Sequence, residues 1–260
     1  MQPTRIAVLG AGEIGSRVVS GLAAQHVRGA VLGGVVSRSP TAPRQHWMSL
    51  TEALRCCDIV VECAGQQALV DHGVQIVSSG RHLVVTSVGA LVAPAVRRGL
   101  DAGPGRWVVT SGAIGGVDIL SAASRQGQFD SVTLTTTKLP SALRQTWMSA
   151  REVSELMDCS EQMEIFRGTV QEAARRFPAS MNVAATVAMA SRCDDVQVRI
   201  CADPQAERTR HKIRARHPLG RFDIEVGNLP SLSRPSTSAV VAYGVLRTLQ
   251  NLVDPTGEVI

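Results

Sequence analysis

The sequence predicts an α/β protein: an N-terminal doubly wound parallel sheet, then a second α+β domain carrying a mixed or antiparallel sheet. Three observations carry that prediction. Apolar strand-like runs alternate with helical segments from residue 6 to about residue 112, the pattern of helices packed on a parallel sheet. A glycine-rich turn separates the first run from the first helix. Beyond residue 112 the strand-like segments change to every-other-residue alternation, as expected where a sheet shows one face to a core and the other to water.

In order, Ile6–Leu9 is a continuous apolar run, read as a strand buried on both faces. Ser16–Ala24 has helical composition, and Val31–Val36 is a second strand closed by Ser37-Arg38-Ser39-Pro40. Leu50–Arg55 reads as a short helix, Asp58–Cys63 as a strand, Gln67–Ser78 as a helix and His82–Thr86 as a strand. Val92–Leu100 is helical and Trp107–Thr110 is a further strand. In the second part Ser131–Lys138, Val196–Ala202, His211–Arg216 and Arg221–Val226 alternate as half-buried strands, with helices at Gln171–Arg176 and Asn182–Ser191. A last amphipathic helix, about Thr237–Leu252, is expected to return to the first domain. The expected boundaries are 1–112, 113–234 and a returning segment 235–260.

Composition narrows the function classes. Hydrophobic residues make up 44% and charged residues 19%, enough for a buried core. The net charge is +5, yet the arginines are scattered and aromatic residues are only 3%, so a nucleic-acid partner is not expected. A positive balance equally attracts anionic cofactors and substrates. None of the six cysteines forms a C-x-x-C pair, which points to reduced thiols in a cytoplasmic protein rather than to a metal site. No apolar run approaches the ~20 residues that span a bilayer, so no membrane partner is expected.

Gly10-Ala11-Gly12-Glu13-Ile14-Gly15 fits G-x-G-x-x-G between a strand and a helix, the Rossmann arrangement for NAD or NADP. Gly10 allows the tight turn, Gly12 lets backbone approach the pyrophosphate, and Gly15 lets helix and strand pack closely. Glu13 and Ile14, within the turn, are grouped with the cofactor contacts, and free N–H groups at the start of the following helix favour the phosphate charge. The alternative is a Rossmann domain that has lost its ligand. An NAD site usually places Asp or Glu at the end of the second strand. Here that end reads Val36-Ser37-Arg38-Ser39, where Arg38 and Ser39 suit a 2′-phosphate, so NADP or dual use is favoured. Ala64, just beyond the third strand, is grouped with the cofactor contacts.

Several later segments resemble the L-aspartate dehydrogenase family. They are Leu83-Val84-Val85-Thr86-Ser87-Val88-Gly89-Ala90-Leu91, Ser111-Gly112-Ala113-Ile114-Gly115-Gly116-Val117-Asp118, and Thr135-Thr136-Thr137-Lys138-Leu139-Pro140, which is similar to T-x-K-P-P. Phe177 to Thr186, His211-Lys212-Ile213, Gly220-x-Phe222 and Pro235-Ser236-Thr237-Ser238 complete the series. The resemblance implies oxidative deamination of L-aspartate through iminosuccinate to oxaloacetate and ammonia, or the reverse amination, with a link to NAD biosynthesis. It also implies a homodimer joined through the second domain, cofactor contacts at Ala113 and Asn182, and a catalytic histidine at His211.

Water attack on an imine needs a base, and the ordinary histidine pKa of about 6.5 suits that work. Without the resemblance, His211 reads as a surface histidine on a strand. Lys138, at a strand end, is the first candidate for a substrate carboxylate, with backbone donors from Gly115-Gly116; Arg175 and Arg176 are further cations, and Asn182 reads as a helix cap. Leu139, Thr209 and Ser236 depart from the family pattern, where proline, asparagine and lysine are usual. Two other readings compete: a dehydrogenase or imine reductase for another small amino or keto acid, and a non-catalytic dinucleotide sensor. A sensor has no need of His211 and Lys138.

Overall fold

The computed structural model describes residues 2–38, 46–177, 181–229, 231 and 237–257. They divide into two compact units, Met1–Gly112 with Val240–Ile260, and Ala113–Ala239.

In the first unit the chain runs β1 (Thr4–Leu9), α1 (Glu13–Ala23), β2 (Ala30–Val36), α2 (Leu50–Cys56), β3 (Ile59–Glu62), α3 (Gln66–Ser78), β4 (His82–Val85), α4 (Pro94–Asp101) and β5 (Trp107–Val109). A 3-10 turn at Val88–Val92 precedes α4. The five strands form one parallel sheet in the order β2-β1-β3-β4-β5. Every residue of Ile59-Val60-Val61-Glu62 is buried, because helices on both faces leave a central parallel strand no wet side.

The second unit continues with α5 (Val117–Gln126), β6 (Ser131–Lys138), α6 (Ala150–Met157), β7 (Met163–Thr169), α7 (Val170–Arg176), α8 (Met181–Ser191), β8 (Gln197–Ala202), β9 (Thr209–His217) and β10 (Gly220–Asn228). Its sheet is mixed, in the order β10-β9-β6-β8-β7. Central β6 runs antiparallel to β9 and parallel to β8. Val132, Leu134 and Thr136 of β6, Val198 and Ile200 of β8, and His211, Ile213 and Ala215 of β9 are buried on one face, and α8 lies against β6 and α5. The other face carries exposed cross-strand ion pairs, Lys212–Glu225 and Arg214–Asp223. Such pairs are worth about 0–1 kcal/mol, so the apolar face sets the register.

The sequence pattern does not show α5, α6 and β7. Helix α6 buries only Leu156, too little to produce a periodic stripe. Its start is nonetheless signalled by Ser149 and Glu152, which form a reciprocal capping box. Strand β7 is an edge strand with a register shift between Glu164 and Phe166, which blurs the alternation.

The last helix, α9 (Val241–Val253), belongs to the first unit and adds Ala242, Val245, Leu246 and Leu249 to the core built on β1, β3 and α1. The contact is close enough that a Cβ on Gly21 of α1 would meet Leu246 Cδ1. Leu249 is fully buried there. Leu249→Ala is therefore expected to lower the free energy of unfolding by about 2–5 kcal/mol. Urea titration followed by circular dichroism measures the loss.

Candidate functional site

The glycine turn forms as its spacing requires. Gly10 sits at φ +103°, a backbone angle that side chains rarely tolerate, and a Cβ there would lie 2.7 Å from Ala64 Cα. A Cβ on Gly15 would overlap the carbonyl oxygen of Gly10. The turn, α1 and the end of β3 are therefore in backbone contact. Gly12, the N-cap of α1, is exposed, and a Cβ added to it would meet nothing within 4 Å. That open space over the first-turn N–H groups fits a pyrophosphate. Glu13 turns its carboxylate back along α1 to Arg17 at 2.6 Å, and Ile14 packs against the core. Arg38 is exposed two residues beyond β2, and Ser39 lies outside the described residues. Among the described residues no His, Cys, Asp and Glu cluster could hold a metal, and all six cysteines are unbridged.

Beneath this turn lies a group that the sequence pattern does not flag. Glu62 ends β3 with no exposed surface. Its Oε1 accepts from the Ala64 and Gly65 N–H groups, each at 2.8 Å, and from Ser87 Oγ at 2.9 Å; its Oε2 accepts from Ser87 N–H at 3.0 Å. The Thr86 hydroxyl donates to the Glu62 carbonyl. One carboxylate thus ties the loop after β3, including Ala64, to the loop after β4. Burial pushes its pKa up, while the four donors pull it down. The available signal is a carboxylate closing the apolar run Ile59-Val60-Val61, where a charge has no place without partners.

In the second unit, Thr136 and His211 are register partners on β6 and β9, each only 4% exposed. Thr136 Oγ1 and His211 Nδ1 are 3.0 Å apart. Lys138 follows two residues along β6, so alternation puts it on the same face, half-buried. His211 is therefore buried, not the surface histidine that the pattern gives without the resemblance, and its pKa is not the ordinary one. Burial, and then the Lys138 cation, lower it to about 3. Burial lowers Lys138 as well. His211 is a neutral imidazole at physiological pH.

Val226 of β10 pairs with His211, and the Gly115-Gly116 turn approaches this strand next to Val226 and Ile224. Gly116 holds φ +73° at the N-cap of α5, where a Cβ would meet Ile224 Cδ1. Ala113 is buried, and its carbonyl accepts from Asn228 Nδ2 at 2.6 Å. Asn182 is the second residue of α8 rather than its cap, and its carbonyl accepts from the Thr186 hydroxyl. Arg175 and Arg176 are exposed, and Arg176 stacks on Trp147 with 4.8 Å between the guanidinium carbon and the ring centre. His217 is buried against Phe129, and its Nδ1 accepts from Leu219 N–H. Pro178 to Ser180, Pro235 and Ser236 lie outside the described residues.

Residues 118–252 match the family described as aspartate dehydrogenase, C-terminal, a stretch that contains Lys138 and His211. The chain belongs to the L-aspartate dehydrogenase family. Residues 10–102 match the NAD-binding domain of homoserine dehydrogenase. L-aspartate dehydrogenase 2 of Bordetella pertussis is 34% identical over 95% of this chain and 96% of its own. L-aspartate dehydrogenase of Serratia proteamaculans is 38% identical over 76% of this chain and 75% of its own. Among solved structures, aspartate dehydrogenase from Thermotoga maritima superposes with a TM-score of 0.75 at 26% identity, covering 96% of each chain. Like its family, the chain is an NAD(P)-dependent dehydrogenase by both of its matched segments.

The lowered pKa of His211 has a consequence for stability. In the unfolded chain the imidazole takes a proton near pH 6.5, whereas in the folded chain it stays neutral to about pH 3. Below 6.5 the unfolded state binds the extra proton, so stability is full above that pH and falls as pH drops towards 3. This residue alone accounts for up to about 1.4 kcal/mol per pH unit in that window. Urea unfolding between about pH 6 and pH 4 is expected to show a shallower pH dependence for His211→Asn than for the wild type.

Proposed function

We propose that the protein oxidises L-aspartate to iminosuccinate with NAD or NADP, water then releasing oxaloacetate and ammonia, and that the same groups serve the reverse amination. The observation that carries this reading is a family match spanning the segment that holds Lys138, Thr136 and His211 in one buried corner.

The bound nicotinamide supplies the hydride acceptor. Gly10, Gly12, Gly15 and the first-turn N–H groups of Glu13 and Ile14 hold the pyrophosphate; Ala64, Ala113 and Asn182 are further cofactor contacts. Lys138 binds a substrate carboxylate, with the Gly115-Gly116 turn adding backbone donors. His211 handles the proton of the attacking water. As the C–O bond forms, the proton passes to Nε2; as the C–N bond breaks, ammonia leaves with it. On its own, the Lys138 cation opposes an imidazolium. A carboxylate on Lys138 offsets that charge, the smaller of the two causes that lower the pKa, so His211 is a stronger base with substrate present than without it. The dicarboxylate is thereby both reactant and activator. The protein works as a cytoplasmic homodimer through its second unit.

With a panel of amino acids and absorbance of the reduced nicotinamide as readout, L-aspartate is expected to be turned over; activity on another acid and none on aspartate would overturn the substrate. His211→Ala is expected to lower kcat by roughly 10²–10⁴-fold while cofactor titration remains unchanged. Arg38→Ala is expected to weaken NADP roughly tenfold and to leave NAD unaffected, which fluorescence titration of the two reduced forms checks.

A further inference from the structure

The hydroxyl of Thr136 has one hydrogen-bonding partner among the described residues, Nδ1 of His211. Both side chains are only 4% exposed. A hydroxyl carries one proton, and a neutral imidazole carries one ring proton on either nitrogen. Were that proton on Nδ1, it would donate to Thr136 Oγ1, and the hydroxyl proton would be buried without an acceptor. A buried donor left unmade costs about 1–3 kcal/mol. With the hydroxyl donating to Nδ1 instead, the hydroxyl and Nδ1 are both satisfied, and the ring proton sits on Nε2, which is not among the buried side-chain atoms left without a partner.

We propose that Thr136 is a positioning residue for the reaction: its hydroxyl fixes the ring of His211, places the ring proton on Nε2 before substrate arrives, and leaves Nε2 as the nitrogen that meets reactants. This rests on the reading of His211 as the group that handles the water proton. His211 first meets a substrate as a donor from Nε2. The base step then begins with tautomer exchange through water: Nε2 releases its proton to the water it meets, and a water proton reaches Nδ1 as the Thr136 hydroxyl swings aside. The hydroxyl turns from donor to acceptor, and Nε2 is open to the proton of the attacking water. A group that can both donate and accept is required opposite Nδ1. Threonine and serine meet that requirement; valine, of nearly the same shape as threonine, does not.

Two measurements test this. In protein with ¹⁵N-labelled histidine and no substrate, ring nitrogen shifts at neutral pH are expected to show His211 protonated at Nε2 and bare at Nδ1. Thr136→Val is expected to lose that preference and to lower kcat roughly tenfold or more, with KM for L-aspartate within about threefold. Thr136→Ser is expected to restore both the tautomer and kcat. A wild-type ring protonated at Nδ1 overturns the proposal, as does Thr136→Val with unchanged shifts and kcat. Equal loss in the serine and valine variants also overturns it, since only packing would then be at stake. The shifts are read without substrate, so a failure of L-aspartate as substrate leaves that result standing and separates the two claims.

Discussion

Each sheet buries a polar side chain almost completely, and a polar group there must find its partners on the spot. In the first sheet the group is Glu62, whose carboxylate gathers donors from Ala64, Gly65 and Ser87. In the second it is His211, held by Thr136 across one register step. Satisfying these groups fixes more than the groups themselves. Glu62 sets the path of two loops, one of which rests on Gly10. The Thr136–His211 pair fixes one imidazole beside Lys138. Both constraints act through backbone register, so they persist as long as the sheets do.

The electrostatics of the second corner follow from its burial. Desolvation makes imidazolium costly, and the Lys138 cation makes it costlier. The acid–base work proposed for His211 then depends on what else is bound. An anion on Lys138 changes the local balance of charge, and a dicarboxylate has one to spare. A small amino acid without a side-chain carboxylate has less to offer. In the proposed reaction, substrate preference and proton transfer are in this way coupled through one lysine.

Much of this is legible in the chain. The alternation of apolar runs and helices, the G-x-G-x-x-G turn and the change of strand texture near residue 112 lead to the observed two-sheet architecture. Lys138 and His211 stand out as chemistry-bearing residues, and they lie on one face of one sheet. Burial is what the chain conceals. His211 sits in a stretch rich in Arg and Lys, His211-Lys212-Ile213-Arg214, because only alternate residues face the core. Its charged neighbours mask an inward face. Glu62 is hidden for the opposite reason, as the last residue of an apolar strand with partners 2 to 25 positions away. Helix α6 falls below the periodicity signal, and only its capping residues announce it.

The central proposal is hydride transfer from the α-carbon of L-aspartate to the nicotinamide. L-aspartate deuterated at the α-carbon tests it directly. After incubation with oxidised NADP or NAD, mass spectrometry of the reduced nucleotide is expected to find the deuterium on the nicotinamide ring, with oxaloacetate free of label. Reduced nucleotide without deuterium, or none formed at all, would contradict it.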